Sequence, residues 1–167
     1  MASRYGVVMI ALIETQPIHA GPRRRHEARV RRFSTNPDLL LRLDGLAVDD
    51  HGSRVIVQSV CRDFEIVEPQ LAFHARRSPY TGQTEAPRSY LVDRYGAAEV
   101  ARAEERRPRP LEPTGIIRLG RTTTLMTLAH ELGHHLAFAL DPTKTPAHGA
   151  VWIARFDQVA ESIQSMT

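Results

Sequence analysis

The apolar positions in the last third of the chain form its clearest pattern. Between residues 124 and 140 they come almost without interruption: Leu125, Met126, Leu128, Ala129, Leu132, Leu136, Ala137, Phe138, Ala139 and Leu140. A helix that is apolar nearly all round is buried on most sides. Thr122, Thr123 and Thr124 offer it an N-cap, and Asp141-Pro142 ends it. A second helix is predicted over residues 150–164, with Trp152, Phe156, Val159 and Ile163 on one stripe. Just upstream, residues 115–120 (Gly-Ile-Ile-Arg-Leu-Gly) read as a short strand bounded by glycines.

The first two thirds are less regular. Residues 5–13 are rich in Val, Ile and Met and read as a buried strand. Residues 39–43 are a short apolar run. Val55, Val57 and Val60 suggest a strand over residues 54–60, following a turn at Asp49-Asp50-His51-Gly52. Residues 78–82 (Ser-Pro-Tyr-Thr-Gly) read as a loop. Residues 89–107 read as one helix with Leu91, Val92, Tyr95 and Val100 on its apolar face, and the prolines of residues 106–113 impose an extended or irregular path.

Charge is distributed unevenly. Of the 22 basic residues only Lys144 is a lysine, and after Arg121 the only arginine is Arg155. Residues 23–32 hold six arginines, interrupted by Glu27 and without interleaved aromatics. Such a cluster is either a solvated face or mobile basic segment, or a set of phosphate contacts. The lone cysteine, Cys61, excludes an intramolecular disulfide and a Cys-rich zinc ribbon, and it fits a reducing, cytoplasmic setting. Residues 5–13 make a poor signal peptide, since only Arg4 precedes them and no small-residue cleavage site follows. No stretch approaches the ~20 apolar residues of a spanning helix.

Against the apolar background of residues 124–140, one polar sequence stands out: His130-Glu131-Leu132-Gly133-His134. Residues four apart lie on one helix face, one turn above the other, so both imidazoles can reach one metal ion. Glu131 is rotated by about 100° from His130 and can flank the metal without ligating it. A carboxylate there can take a proton from an activated water and hand it to a leaving amine. Charged and imidazole groups on a buried helix are costly unless paired or metal-bound. A catalytic site needs a third ligand and an open position. His148 is favoured because it lies near the start of the second helix, nearly in line with Trp152. Glu161 is the rival, but it falls on that helix's polar side. His135 points away from His134 and reads as a supporting or partly surface histidine. Gly133 permits a close approach to the helix, Trp152 is expected to pack the two helices and orient His148, and Cys61 reads as a small buried hydrophobe.

The spacing His130-Glu-Leu-Gly-His134, followed by His148-Gly149-x-x-Trp152, resembles the SprT-like zincin metallopeptidases, whose pattern is H-E-x-x-H and then H-G-x-x-[WF]. The strand and lead-in before the motif are also similar, and the resemblance covers about residues 113–160. It implies a zincin fold and peptide-bond hydrolysis. The implied site is one zinc per chain held by His130, His134 and His148, with Glu131 catalytic. Some members of that family act on proteins bound to DNA. This chain departs from many of them in carrying no Cys-rich ribbon after the motif.

The expectation is therefore an α+β, zincin-like fold. A small, mostly antiparallel sheet packs on the buried active-site helix, and a second C-terminal helix delivers the third ligand. Residues 113–167 are expected to form the catalytic core. Residues 1–112 would complete the same domain, with an arginine-rich mobile segment near 21–36. The expected partner is a protein or peptide substrate, with DNA association a weaker expectation and no membrane. The alternatives are a catalytically silent zincin-like metal-binding protein and a basic nucleic-acid-associated module. His135, Tyr80, Tyr90 and Arg155 are candidate oxyanion donors, and the strand at 116–119 is a candidate platform for an extended substrate.

Overall fold

The structure is a computed structural model that describes residues 12–14, 35–75, 82–141 and 148–167. It is α+β, with six helices and two three-stranded sheets among the described residues. Most of the strand expected at residues 5–13, the arginine cluster at 23–32, the loop at 78–81 and the spacer from Pro142 to Ala147 lie outside the described residues.

The first sheet has the order β1 (Leu12–Glu14), β2 (Leu46–Asp49) and β6 (Thr122–Thr124), all antiparallel. The second places β5 (Ile116–Gly120) between β3 (Gln70–His74) and β4 (Gln83–Glu85). In it β4 runs antiparallel to β5 and β3 runs parallel. The single small sheet expected from sequence is thus two sheets, in which antiparallel pairing still predominates.

The short helix α1 (Pro37–Asp44) absorbs the apolar run at 39–43 and buries Leu39, Leu40 and Leu43. Asn36 caps it by accepting from the Leu39 amide at 3.2 Å, and Pro37 occupies the first turn, where no donor is lost.

Residues 54–60 are not a strand. They belong to α2 (Asp50–Asp63), and the presumed turn at 49–52 is its first turn. Asp49 caps the helix, its Oδ1 accepting from the Gly52 amide at 2.8 Å. The buried set Ser53, Ile56, Val57, Val60 and Cys61 has helical spacing. Three valines raise strand propensity, yet that preference is weaker than a good cap plus a continuous apolar helix face. The helix ends in a Schellman turn: the Glu65 amide donates to the Arg62 carbonyl, the Ile66 amide donates to the Cys61 carbonyl, and Glu65 sits at φ 54°.

The helix expected over 89–107 is two helices, α3 (Arg88–Tyr95) and α4 (Ala97–Glu105). Gly96 separates them at φ 85°, a conformation that other residues adopt only with strain. Tyr90 and Val100 are buried while Tyr95 is exposed, so the apolar face differs from the one read off the sequence.

The long helix α5 (Leu125–Leu140) runs directly out of β6. Thr124 caps it, its Oγ1 accepting from the Thr127 amide at 3.0 Å. The last helix, α6 (Ala150–Met166), packs extensively on α5, and α1 and α2 pack against this pair. The two helices approach closely at Gly133, where a Cβ would lie 3.1 Å from the Phe156 Cα. A single core joins residues from both sides of position 112, including Leu40, Ile56 and Val60 with Leu128, Leu136, Trp152 and Ile163. Cys61 is part of it, and burial, followed by the nearby Glu68 carboxylate, pushes its thiol up to about 12. It is an apolar packing group, not a nucleophile.

Candidate metal centre

Eleven residues of α5 are buried, among them Glu131 and His135. Polar groups on such a helix must find partners, and each of the sequence-predicted residues is placed accordingly.

His130 and His134 lie one turn apart on α5, and His148 meets them from the segment just before α6. His148 Nε2 is 3.2 Å from His134 Nε2 and 3.3 Å from His130 Nε2. The ligand atoms of all three residues lie within 4.8 Å of one another, and the three could hold a metal ion. Hydrogen bonding alone explains this poorly. A single imidazole nitrogen is either a donor with one proton or a bare acceptor, so His148 Nε2 cannot serve both neighbours well. A cation satisfies all three lone pairs together. Bonds of ~2.0–2.1 Å in a tetrahedron put neighbouring nitrogens about 3.3 Å apart, close to the two separations observed here.

The rings rest on an apolar floor. The Trp152 indole, 1% exposed, has its centroid 4.8 Å from that of His130, 5.1 Å from His134 and 4.6 Å from His148. This contact extends the role expected for Trp152, since it backs all three imidazoles. His148 itself sits at φ 63°, and Gly149 then starts α6 in an extended conformation. Left-handed backbone at a residue other than glycine costs free energy and is commonest where function requires it. Burial, and then the neighbouring His148, lower the His134 pKa from 6.5 to about 4. His134 is therefore neutral at pH 7, the form that ligates metals.

Glu131 is not part of the converging set. Its residue is 5% exposed, and its carboxylate lies against β4. Thr84 Oγ1 is 2.6 Å from Glu131 Oε2 and 3.1 Å from the Glu131 carbonyl oxygen. A Cβ on Gly82 would fall 2.5 Å from Glu131 Cγ and Oε1. Sequence reasoning missed both residues. The run Gly82-Gln83-Thr84-Glu85 is polar and short, and nothing in its pattern marks it as a strand beside the motif.

The remaining candidates separate. Glu161 is exposed on α6 and outside the converging set. His135 is buried, and its Nε2 donates to the Val67 carbonyl at 2.8 Å. Burial lowers its pKa, opposed in part by that hydrogen bond. Arg155 pairs with Asp141 at 2.7 Å. Tyr90 accepts from Arg94 at 2.7 Å and packs on Phe138. Tyr80 lies outside the described residues. No oxyanion donor is thus assigned among these side chains. The strand at 116–119 is not a free platform either, because β5 is flanked by β3 and β4.

Among the described residues, no helix is long and apolar enough to cross a membrane. Comparison of the chain with protein-family models, with curated proteins and with solved structures finds no match.

Proposed function

We propose that the chain is a zinc-dependent metallopeptidase of zincin-like fold, with His130, His134 and His148 holding one zinc and Glu131 acting as general base. The observation that carries this reading is the convergence of three imidazole nitrogens, at 3.2 and 3.3 Å, where the largely buried α5 meets the segment just before α6. Three histidines favour zinc among the divalent metals that accept imidazole, and three protein ligands, the number that converge among the described residues, are the complement of a catalytic site. The resemblance to SprT-like zincins rests on the same residues together with Gly149 and Trp152. When bound, zinc lowers the pKa of water toward ~7 and polarises a peptide carbonyl.

The chain's own residues supply the rest. Glu131 accepts the proton of the attacking water and delivers it to the leaving amine. Trp152 keeps the base of the site dry and the rings oriented, which strengthens electrostatic interactions there. An extended substrate has β4 as its docking edge in the second sheet, because of the two edge strands, β3 and β4, it is β4 that lies against Glu131.

A second reading is a catalytically silent protein that keeps the metal. The deep burial of Glu131, 5% exposed, is the observation that favours it. One experiment separates the two. Metal analysis should find one zinc per chain, lost or weakened in His148→Ala. Glu131→Gln should keep the zinc and lose peptide hydrolysis by ~10²–10⁴-fold. Wild-type rates in Glu131→Gln would remove Glu131 from the mechanism. Bound zinc with no chelator-sensitive cleavage of any peptide in a library would favour the silent reading.

A further inference from the structure

We infer that Thr84, seated by the missing side chain of Gly82, is a positioning residue that fixes the rotamer of the Glu131 carboxylate. This inference rests on the proposed peptidase reading and deepens it. A glutamate side chain has three rotatable bonds, and a general base must lie within hydrogen-bond reach of the proton it takes. Something must therefore hold this carboxylate still.

The Thr84 hydroxyl has one proton and two acceptors within reach. The carboxylate oxygen at 2.6 Å is both nearer and charged, and the backbone carbonyl at 3.1 Å is neutral. Charge-assisted bonds are the shorter and stronger kind, so the proton goes to Glu131 Oε2. Threonine suits the task because its branched Cβ stiffens χ1.

The strand beneath is itself pinned. Thr84 pairs in register with Ile117, which is fully buried. The next residue, Glu85, is held by Arg118 at 2.7 Å and by Arg107 at 3.1 Å. On the other side of Thr84, Gly82 leaves the space that the Glu131 side chain fills, since a Cβ there would collide with Cγ and Oε1 at 2.5 Å. Glu131 is thus confined between the Cα of Gly82, just before β4, and the hydroxyl of Thr84 within it. This divides the site: the proposed metal ligands come from α5 and the segment just before α6, while the orientation of the base comes from β4.

The test compares Thr84→Val, which keeps the shape and removes the hydroxyl, with Thr84→Ser, which keeps the hydroxyl. Each zinc-loaded full-length variant is assayed on a quenched-fluorescent peptide that the wild type cleaves. Thr84→Val should lower kcat by about 10–100-fold, the order expected for a misplaced catalytic group, with KM and zinc stoichiometry unchanged. Thr84→Ser should recover most of the loss. Gly82→Ala should mimic Thr84→Val by displacing the carboxylate. Wild-type kcat in Thr84→Val would overturn the inference. So would equal damage in Val and Ser, or a loss of zinc in Thr84→Val, because either result would assign Thr84 to packing alone. Melting temperatures of the metal-free proteins give a readout that needs no activity. The shifts for Thr84→Val and Glu131→Gln should be non-additive in the double variant, and additivity would overturn the clamp even if the peptidase reading stands. Non-additive shifts in a protein that cleaves nothing would keep the clamp and reject the peptidase.

Discussion

Acidifying the metal-free protein from pH 7.5 to pH 4 should destabilise it through His134. In the folded chain, burial and the adjacent His148 depress this imidazole from 6.5 to about 4. Above pH 6.5 both the folded and unfolded states carry a neutral His134, and the group has no effect on the balance. Between pH 6.5 and 4 the unfolded chain takes up a proton that the folded chain refuses, so stability falls as pH falls. Below pH 4 both states are protonated and the loss levels off. At 1.36 kcal/mol per pH unit, the interval corresponds to roughly 3 kcal/mol. That is a large share of the 5–15 kcal/mol typical of a domain. His135 is shifted in the same direction and adds to the effect. The assay is urea unfolding of metal-free protein at pH 7.5, 5.5 and 4, for the wild type and for His134→Gln, which holds a neutral side chain of similar reach. The wild type should lose about 3 kcal/mol more than the variant across that range. Parallel pH profiles would refute the reasoning, since they would mean His134 is as readily protonated in the folded chain as in the unfolded one.

Two further outcomes test the scaffold. Gly133→Ala brings a methyl to 3.1 Å from the Phe156 Cα, a backbone atom that cannot swing aside. Overpacking costs ~1–3 kcal/mol and alanine returns up to ~1 kcal/mol of helix propensity, so a net loss of about 1 kcal/mol is expected in urea unfolding. Glu65→Gly removes a side chain from φ 54° in the turn that closes α2. It should stabilise the protein by up to ~1 kcal/mol in the same assay, and a destabilised variant would mean the Glu65 side chain makes a contact worth more than the strain.

What could be read from the sequence depended on whether the pattern was local. The helix at 125–140 and its partner from 150 carry dense apolar stripes with clear caps, and both form close to the expected residues. The i, i+4 spacing of His130 and His134 follows from helix geometry alone, and His148 could be placed by the stripe that Trp152 begins. The errors arose where local preference and tertiary fit diverge. Val55, Val57 and Val60 favour a strand in isolation, but the capped helix buries a whole face of Ile56, Val57, Val60 and Cys61 in the core. Residues 89–107 read as one helix from their apolar spacing, whereas the positive φ of Gly96 turns the chain between two. The seat of Glu131 was not legible at all. Residue 84 reaches residue 131 across 47 positions through a three-residue strand, and a threonine and a glycine are too common to signal such a contact.

That last contact changes how the domain should be divided. On sequence, residues 113–167 hold the three histidines and Glu131. In the fold, the core spans both sides of position 112, and the carboxylate rests on β4, which precedes it. On the proposed peptidase reading, metal affinity and catalytic competence are therefore separable by substitution. The α5–α6 pair, closed at Gly133 and floored by Trp152, sets His130 and His134 beside His148, which lies just before α6. Whether Glu131 can act depends on β4, which is held to β5 and anchored through Glu85. A substitution that loosens β4 should spare metal binding and damage turnover. One that opens the helix pair should lose the metal first. Variants that sort this way would distinguish a hydrolytic site from a metal site that only stabilises the fold, because a purely structural metal would make both groups of substitutions register in stability alone.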